Sequence, residues 1–153
     1  DGTNWTAGGD LGTARYMGAV AGTLTAGLHA GGKITNPPGA HQTVTEEYNG
    51  TSWSEVTDMP VATQRAGSAG PQTAALVYGG GASPGQLNTT LNYDGTTWSA
   101  NPATLATARN NSGSPGTAGS NTGAWYAGGY GTAQTNITEE YNLAATVRSV
   151  DTT

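Results

Sequence analysis

The residues with the greatest chemical potential are two adjacent carboxylate pairs, Glu46-Glu47 and Glu139-Glu140. Paired carboxylates perform general acid–base and glycoside chemistry. Both pairs stand directly before a tyrosine at the same place in a repeated pattern, where the middle copy carries Leu91-Asn92. A reactive pair breaks the symmetry of a repeat and a strand residue follows it, so these acids read as structural or solvent-facing. The histidines, His29 and His41, have no second histidine or cysteine at a zinc-like spacing. With no cysteine in the chain, a disulfide scaffold and thiol catalysis are excluded. Gly79-Gly80-Gly81 and Gly113-Ser114-Pro115-Gly116 lack the Gly-Lys-Ser/Thr of a phosphate-cradling loop and read as turns. No catalytic residue, metal or cofactor is expected.

The elements that position these residues come from a repeat. Asp1-Gly2-Thr3-Asn4-Trp5 returns as Asn49-Gly50-Thr51-Ser52-Trp53 and as Asp94-Gly95-Thr96-Thr97-Trp98, at spacings of 48 and 45 residues. An arginine follows each tryptophan (Arg15, Arg65, Arg109), then a glycine pair (Gly31-Gly32, Gly79-Gly80, Gly128-Gly129), then a tyrosine (Tyr48, Tyr93, Tyr141). Asn-Gly or Asp-Gly between a tyrosine and a tryptophan marks a β-hairpin, because both central residues of a type I′ turn need φ > 0. Thr25–Ala30, Thr73–Tyr78 and Thr122–Ala127 are short apolar runs that suit buried strands. Thr43–Tyr48 and Asn136–Tyr141 read as half-exposed strands, and a further strand is expected between each arginine and the run before Gly-Gly. Four strands per unit of about 47 residues suggest a small antiparallel sheet, as in a β-propeller.

Composition limits the partners. The 153 residues suit one domain, with 10% charged, 25 glycines and no phenylalanine. A net charge of −5 with five basic residues does not supply the phosphate neutralisation that nucleic-acid binding needs. No apolar run approaches the roughly 20 residues of a membrane span, and the first residues carry no signal-peptide pattern. Neither nucleic acid nor membrane insertion is therefore expected.

The pattern Tyr-Asn/Asp-Gly-Thr-x-Trp, then Met59-Pro60 and Arg65, then an apolar strand ending in Gly79-Gly80, resembles the kelch motif over residues 1–141. The TEEYNGTSW-like texture is also similar to kelch-type repeats in structural proteins of marine bacteriophages. The resemblance implies an all-β kelch-like β-propeller with three four-stranded blades in this chain, from repeats 1–48, 49–93 and 94–141, and residues 142–153 closing the last blade. Repeats 1 and 3 depart from it in lacking Met-Pro, and Leu143 stands where a hairpin glycine would be. Propellers close with about four to eight blades, so the ring is expected to be completed by another chain or by upstream repeats. The Ala145–Val150 segment reads as the outer strand of the last blade, which leaves the Trp5 strand to pair with a blade outside this chain.

Positions that repeat are explained by packing, and those that differ are free for recognition. The connection after the first glycine pair, Lys33 to Gln42, has ten residues, against seven and six for its counterparts Gly81 to Leu87 and Tyr130 to Thr135. Lys33, Asn36, His41, Gln86, Trp125 and Tyr130 are the expected binding residues. The repeat arginines are expected to tie neighbouring blades together, and the repeat tryptophans and His29 to pack. The expected function is a non-enzymatic binding or structural module, extracellular or virion-associated, recognising a protein or glycan and working as a homo-oligomer or in a larger assembly. A carbohydrate-active enzyme and a purely architectural subunit of a virion or surface filament are the alternatives.

Overall fold

A computed structural model describes residues 2–35, 40–113 and 120–143. Within them the chain is all-β, with ten strands and no helix. The first sheet is antiparallel, in the order β1 (Ala19–Thr23), β2 (Ala26–Ala30), β3 (Thr45–Tyr48), β4 (Trp53–Glu55). The second repeats it as β5 (Gly67–Ala69), β6 (Ala75–Tyr78), β7 (Thr90–Tyr93), β8 (Trp98–Asn101). The third pairs β9 (Gly123–Ala127) with β10 (Thr138–Asn142).

The hairpins form at the expected residues. Tyr48 pairs with Trp53 and Tyr93 with Trp98, their rings 5.0 and 4.8 Å apart. The turns are held by one side chain each: Asn49 Oδ1 accepts from the Thr51 and Ser52 N–H groups, and Asp94 Oδ1 from those of Thr96 and Thr97. Such Asx geometry, with the following glycine at positive φ, closes the strands tightly. Since β4 and β8 begin after the hairpin glycine, each sheet takes its outer strand from the next repeat.

Two expectations for the sheets are to be set against the structure. The third unit has two strands among the described residues, where the bridges Asn110–Tyr130 and Gly113–Ala127 precede β9, and residues 114–119 of the stretch expected to carry a further strand lie outside them. The proposed outer strand, Ala145–Val150, lies outside those residues. Second, Thr45 and Glu46 of β3 are buried rather than half-exposed.

The sheets stand in a row, β1 beside β5 and β5 beside β9, and no strand of the first lies near a strand of the third. Alternation along each strand assigns residues to two faces, one towards the preceding sheet and one towards the next. Leu28 of β2 packs on Ala75 and Tyr93 of the second sheet, and Leu76 of β6 packs on Ala124 of the third. Hydroxyls and indole N–H groups lace the same boundaries. Tyr93 donates to Glu47 (2.9 Å), Trp98 Nε1 to Thr45 Oγ1 (3.2 Å), Tyr78 to the Trp125 carbonyl (3.2 Å), and Tyr126 to the Arg65 carbonyl (3.3 Å). Without phenylalanine, tyrosine supplies both the bulk and the polar tip that such seams require.

The glycine pairs sit where a neighbour crosses. Gly31 and Gly79 have φ of 65° and 63°, and a Cβ on either would meet the next unit's backbone and its Met59 or Leu105 side chain. The second glycine binds that unit directly: Gly32 N–H donates to the Thr63 carbonyl (2.8 Å), and Gly80 N–H to that of Arg109 (2.9 Å).

Candidate functional site

The glycine-pair bonds fix the true equivalences. Thr63 and Arg109 occupy one position and Arg15 is the same position in the first unit, because the residue after each forms the same bridge: Tyr16 to Lys33, Gln64 to Gly81, Asn110 to Tyr130. Arg65 is therefore not the partner of Arg15 and Arg109. It lies two residues further on, equivalent to Met17 and Asn111, and all three have left-handed backbones, φ 62°, 56° and 57°.

The Arg15 and Arg109 side chains turn inward. Arg15 Nη1 meets Glu46 Oε1 at 2.5 Å with both side chains buried, while Arg15 Nε donates to His29 Nδ1 (3.1 Å). Arg109 pairs with Glu139 in the same manner and also donates to the Tyr126 carbonyl. Burial alone raises a carboxyl pKa; here the Gly12 N–H and the Arg15 guanidinium outweigh it and hold Glu46 below its ordinary value. The Ala106 N–H and Arg109 do the same for Glu139. Each arginine thus ties strands of its own sheet rather than neighbouring sheets, which corrects the expected role, and neither is free to line an anion-binding ring. In the second unit, Thr63 and Leu91 replace both members of the pair.

The four acids divide by face. Glu46 and Glu139 are neutralised, Glu47 accepts from Tyr93, and Glu140 is exposed. A cleft of about 90 Å³ between the second and third sheets is lined in part by Glu139, Glu140, Tyr126 and Leu105. Its more buried carboxylate is the one already bound to Arg109.

His29 is held neutral at physiological pH. Burial, then the Arg15 charge, lowers its pKa to about 4. The unfolded chain takes up this proton near pH 6.5 and the folded chain only near 4, so acidification between those values favours unfolding. Stability to urea is expected to drop by about 1–2 kcal/mol from pH 7.5 to pH 5, after allowance for partial solvent contact. In a His29→Val chain, carrying the residue of the second unit, most of this slope should be lost, the remainder being that of His41. Equal urea midpoints for the unaltered chain at both pH values would contradict the assignment.

Of the expected binding residues, four converge on equivalent positions. Lys33, Gly81 and Tyr130 are the central members of three short bridge ladders, Tyr16–Lys33–His41, Gln64–Gly81–Gln86 and Asn110–Tyr130–Gln134. Lys33, His41, Gln86 and Tyr130 thus share one end of the row of sheets. Burial lowers the His41 pKa, assisted by the Lys33 and Arg65 charges, and the bridge sets Lys33 beside His41 in the ladder. Beside them an open groove of about 480 Å³ runs between Ala40-His41, Pro60–Ala62 and Ala82-Ser83. Tyr16 and Tyr130, members of the same bridge ladders, are exposed. Trp125 belongs elsewhere: it is mid-strand in β9 opposite Glu140 and 43% exposed, while its strand neighbours Ala124 and Tyr126 are buried with Leu76 and Tyr78 of the second sheet. Asn36 lies outside the described residues.

Sequence reasoning did not find Tyr16, Met17 or Gln134, or the shifted place of Arg65. One signal was available for Arg65: the repeat with no glutamate before its tyrosine is the one whose arginine is out of register. Trp53 and Trp98 pack as expected, whereas Trp5 is fully exposed. Among the described residues no cluster of three or more potential metal ligands occurs, and no helix is long and apolar enough to cross a membrane.

These observations define an all-β protein of repeated antiparallel sheets with a shared loop end. No protein-family model matches the chain, and no curated protein matches it.

Proposed function

We propose that the three sheets are successive blades of a kelch-like β-propeller and that the chain is a non-enzymatic binding module, displayed outside the cell or on a virion, which takes a glycan at the loop end. The observation carrying this reading is that Lys33, His41, Gln86 and Tyr130, residues that vary between repeats, belong to equivalent bridge ladders at one end of the sheets, where His41 lines an open groove. Glutamine amides and cationic groups bond sugar hydroxyls, and an exposed tyrosine ring offers a stacking surface. The neutralisation of Glu46 and Glu139 favours binding over hydrolysis, since glycoside cleavage employs two available carboxylates.

A glycan array probed with the whole chain, followed by titration of the strongest hit, tests the proposal. Tyr130→Ala and Gln86→Ala are each expected to weaken that hit at least about tenfold, the loss of about 1.4 kcal/mol. Binding indifferent to both changes, or turnover of the glycan that disappears in Glu140→Gln, would overturn it. A protein ligand would show as an empty array together with capture of a defined surface protein sensitive to the same two substitutions.

A further inference from the structure

The two outer faces of the row carry matching halves of the boundary that the chain already builds twice within itself. Where Leu28 meets Ala75 and Leu76 meets Ala124, the third sheet presents Trp125, 43% exposed. The position that would oppose it, equivalent to Ala75 and Ala124, is Gly27 in β2. Gly27 is buried, and a Cβ on it would touch the Tyr48 Cβ at 3.4 Å and the Thr23 carbonyl and Trp53 ring at 3.6 Å, so no side chain of its own stands between Tyr48 and Trp53. The larger residue on one face is answered by the smaller on the other.

The polar groups match as well. Glu140 on the third sheet is equivalent to Glu47, which accepts from Tyr93; the tyrosine equivalent to Tyr93 on the first sheet is Tyr48. Thr138 is equivalent to Thr45, which accepts from Trp98; the corresponding tryptophan is Trp53. Gly129 N–H, unlike Gly32 and Gly80, donates to nothing among the described residues, and the carbonyl it lacks is that of Arg15. Gly128 has open space where Gly31 and Gly79 hold Met59 and Leu105, and Leu11 is the equivalent side chain on the opposite face.

We propose that a second copy of this chain docks the first-sheet face carrying Gly27, Tyr48 and Trp53 onto the third-sheet face carrying Trp125 and Glu140, and that two chains do so reciprocally to close one ring of six sheets. The pairing is head to tail, and closure after two chains leaves no free face for growth. It uses the flat sides of the outer sheets and leaves the loop end open, so it is independent of the glycan-binding reading.

Light scattering coupled to size exclusion tests the pairing on the purified chain. The expected mass is twice the 15.3 kDa of one chain, constant over a hundredfold dilution. Trp125→Glu, at an exposed site, is expected to give single chains with an unchanged far-ultraviolet spectrum, as is Gly27→Leu. Gly27→Ala alone should weaken pairing at least tenfold, and adding Trp125→Leu, which copies the internal leucine–alanine contact, should restore it. Single chains at 100 μM, masses that grow with concentration, or a pair that survives both Trp125→Glu and Gly27→Leu would each overturn the proposal.

Discussion

Replacing Arg15 with threonine is expected to destabilise the fold by about 3–5 kcal/mol, and replacing Glu46 with leucine in the same chain to return most of that loss. The guanidinium and carboxylate are both withdrawn from water. Removing the arginine leaves a buried charge with only the Gly12 N–H and neighbouring dipoles to compensate it. Removing both leaves an apolar contact of a kind the protein already contains, since Thr63 and Leu91 occupy these positions in the second unit. A buried ion pair is costly to break and cheap to replace whole. Urea unfolding of the two single variants and the double variant completes the cycle. If the single Arg15→Thr chain loses less than about 1 kcal/mol, or the double variant is as unstable as the worse single one, the equivalence of the two positions fails.

The second large effect separates two glycines of the same motif. Gly79→Ala should cost about 2–5 kcal/mol: about 1–2 for a left-handed backbone with a side chain, and about 1–3 for driving a methyl group into a filled seam. That methyl would lie 2.8 Å from Tyr126 and 2.9 Å from the Arg109 carbonyl. Gly128→Ala carries the backbone penalty alone, because its nearest neighbour is the Thr135 carbonyl at 3.4 Å. Thermal unfolding of both changes on the single-chain Trp125→Glu background makes the comparison. Equal losses would show that contact with the next unit contributes nothing to the demand for glycine at this position.

The repeat was legible in the sequence because its landmarks are local. Asn49-Gly50 and Asp94-Gly95 build their hairpins with their own side chains, and the runs ending in Gly-Gly become β2, β6 and β9 as read. Alignment by residue type failed at Arg65, because what defines that position is a backbone bond from Gly32 to the carbonyl of Thr63, and a carbonyl has no signature in the sequence. The buried state of Glu46 was hidden for a related reason: its arginine stands 31 residues away, in a segment with no strand pattern. Loop-length differences drew attention to the connections carrying Lys33, His41, Gln86 and Tyr130, which the structure sets in equivalent bridge ladders. Trp125 was grouped with them from proximity along the chain, although β9 carries it to the side of a sheet.

Because contacts between sheets follow one template, gaining or losing a whole unit of 45–48 residues would create no novel kind of neighbour. Gene duplication or deletion in such steps demands no compensating change elsewhere, provided the terminal pair still matches in size. On the proposed pairing, Trp125 and Gly27 are the two positions at which that match in size is decided.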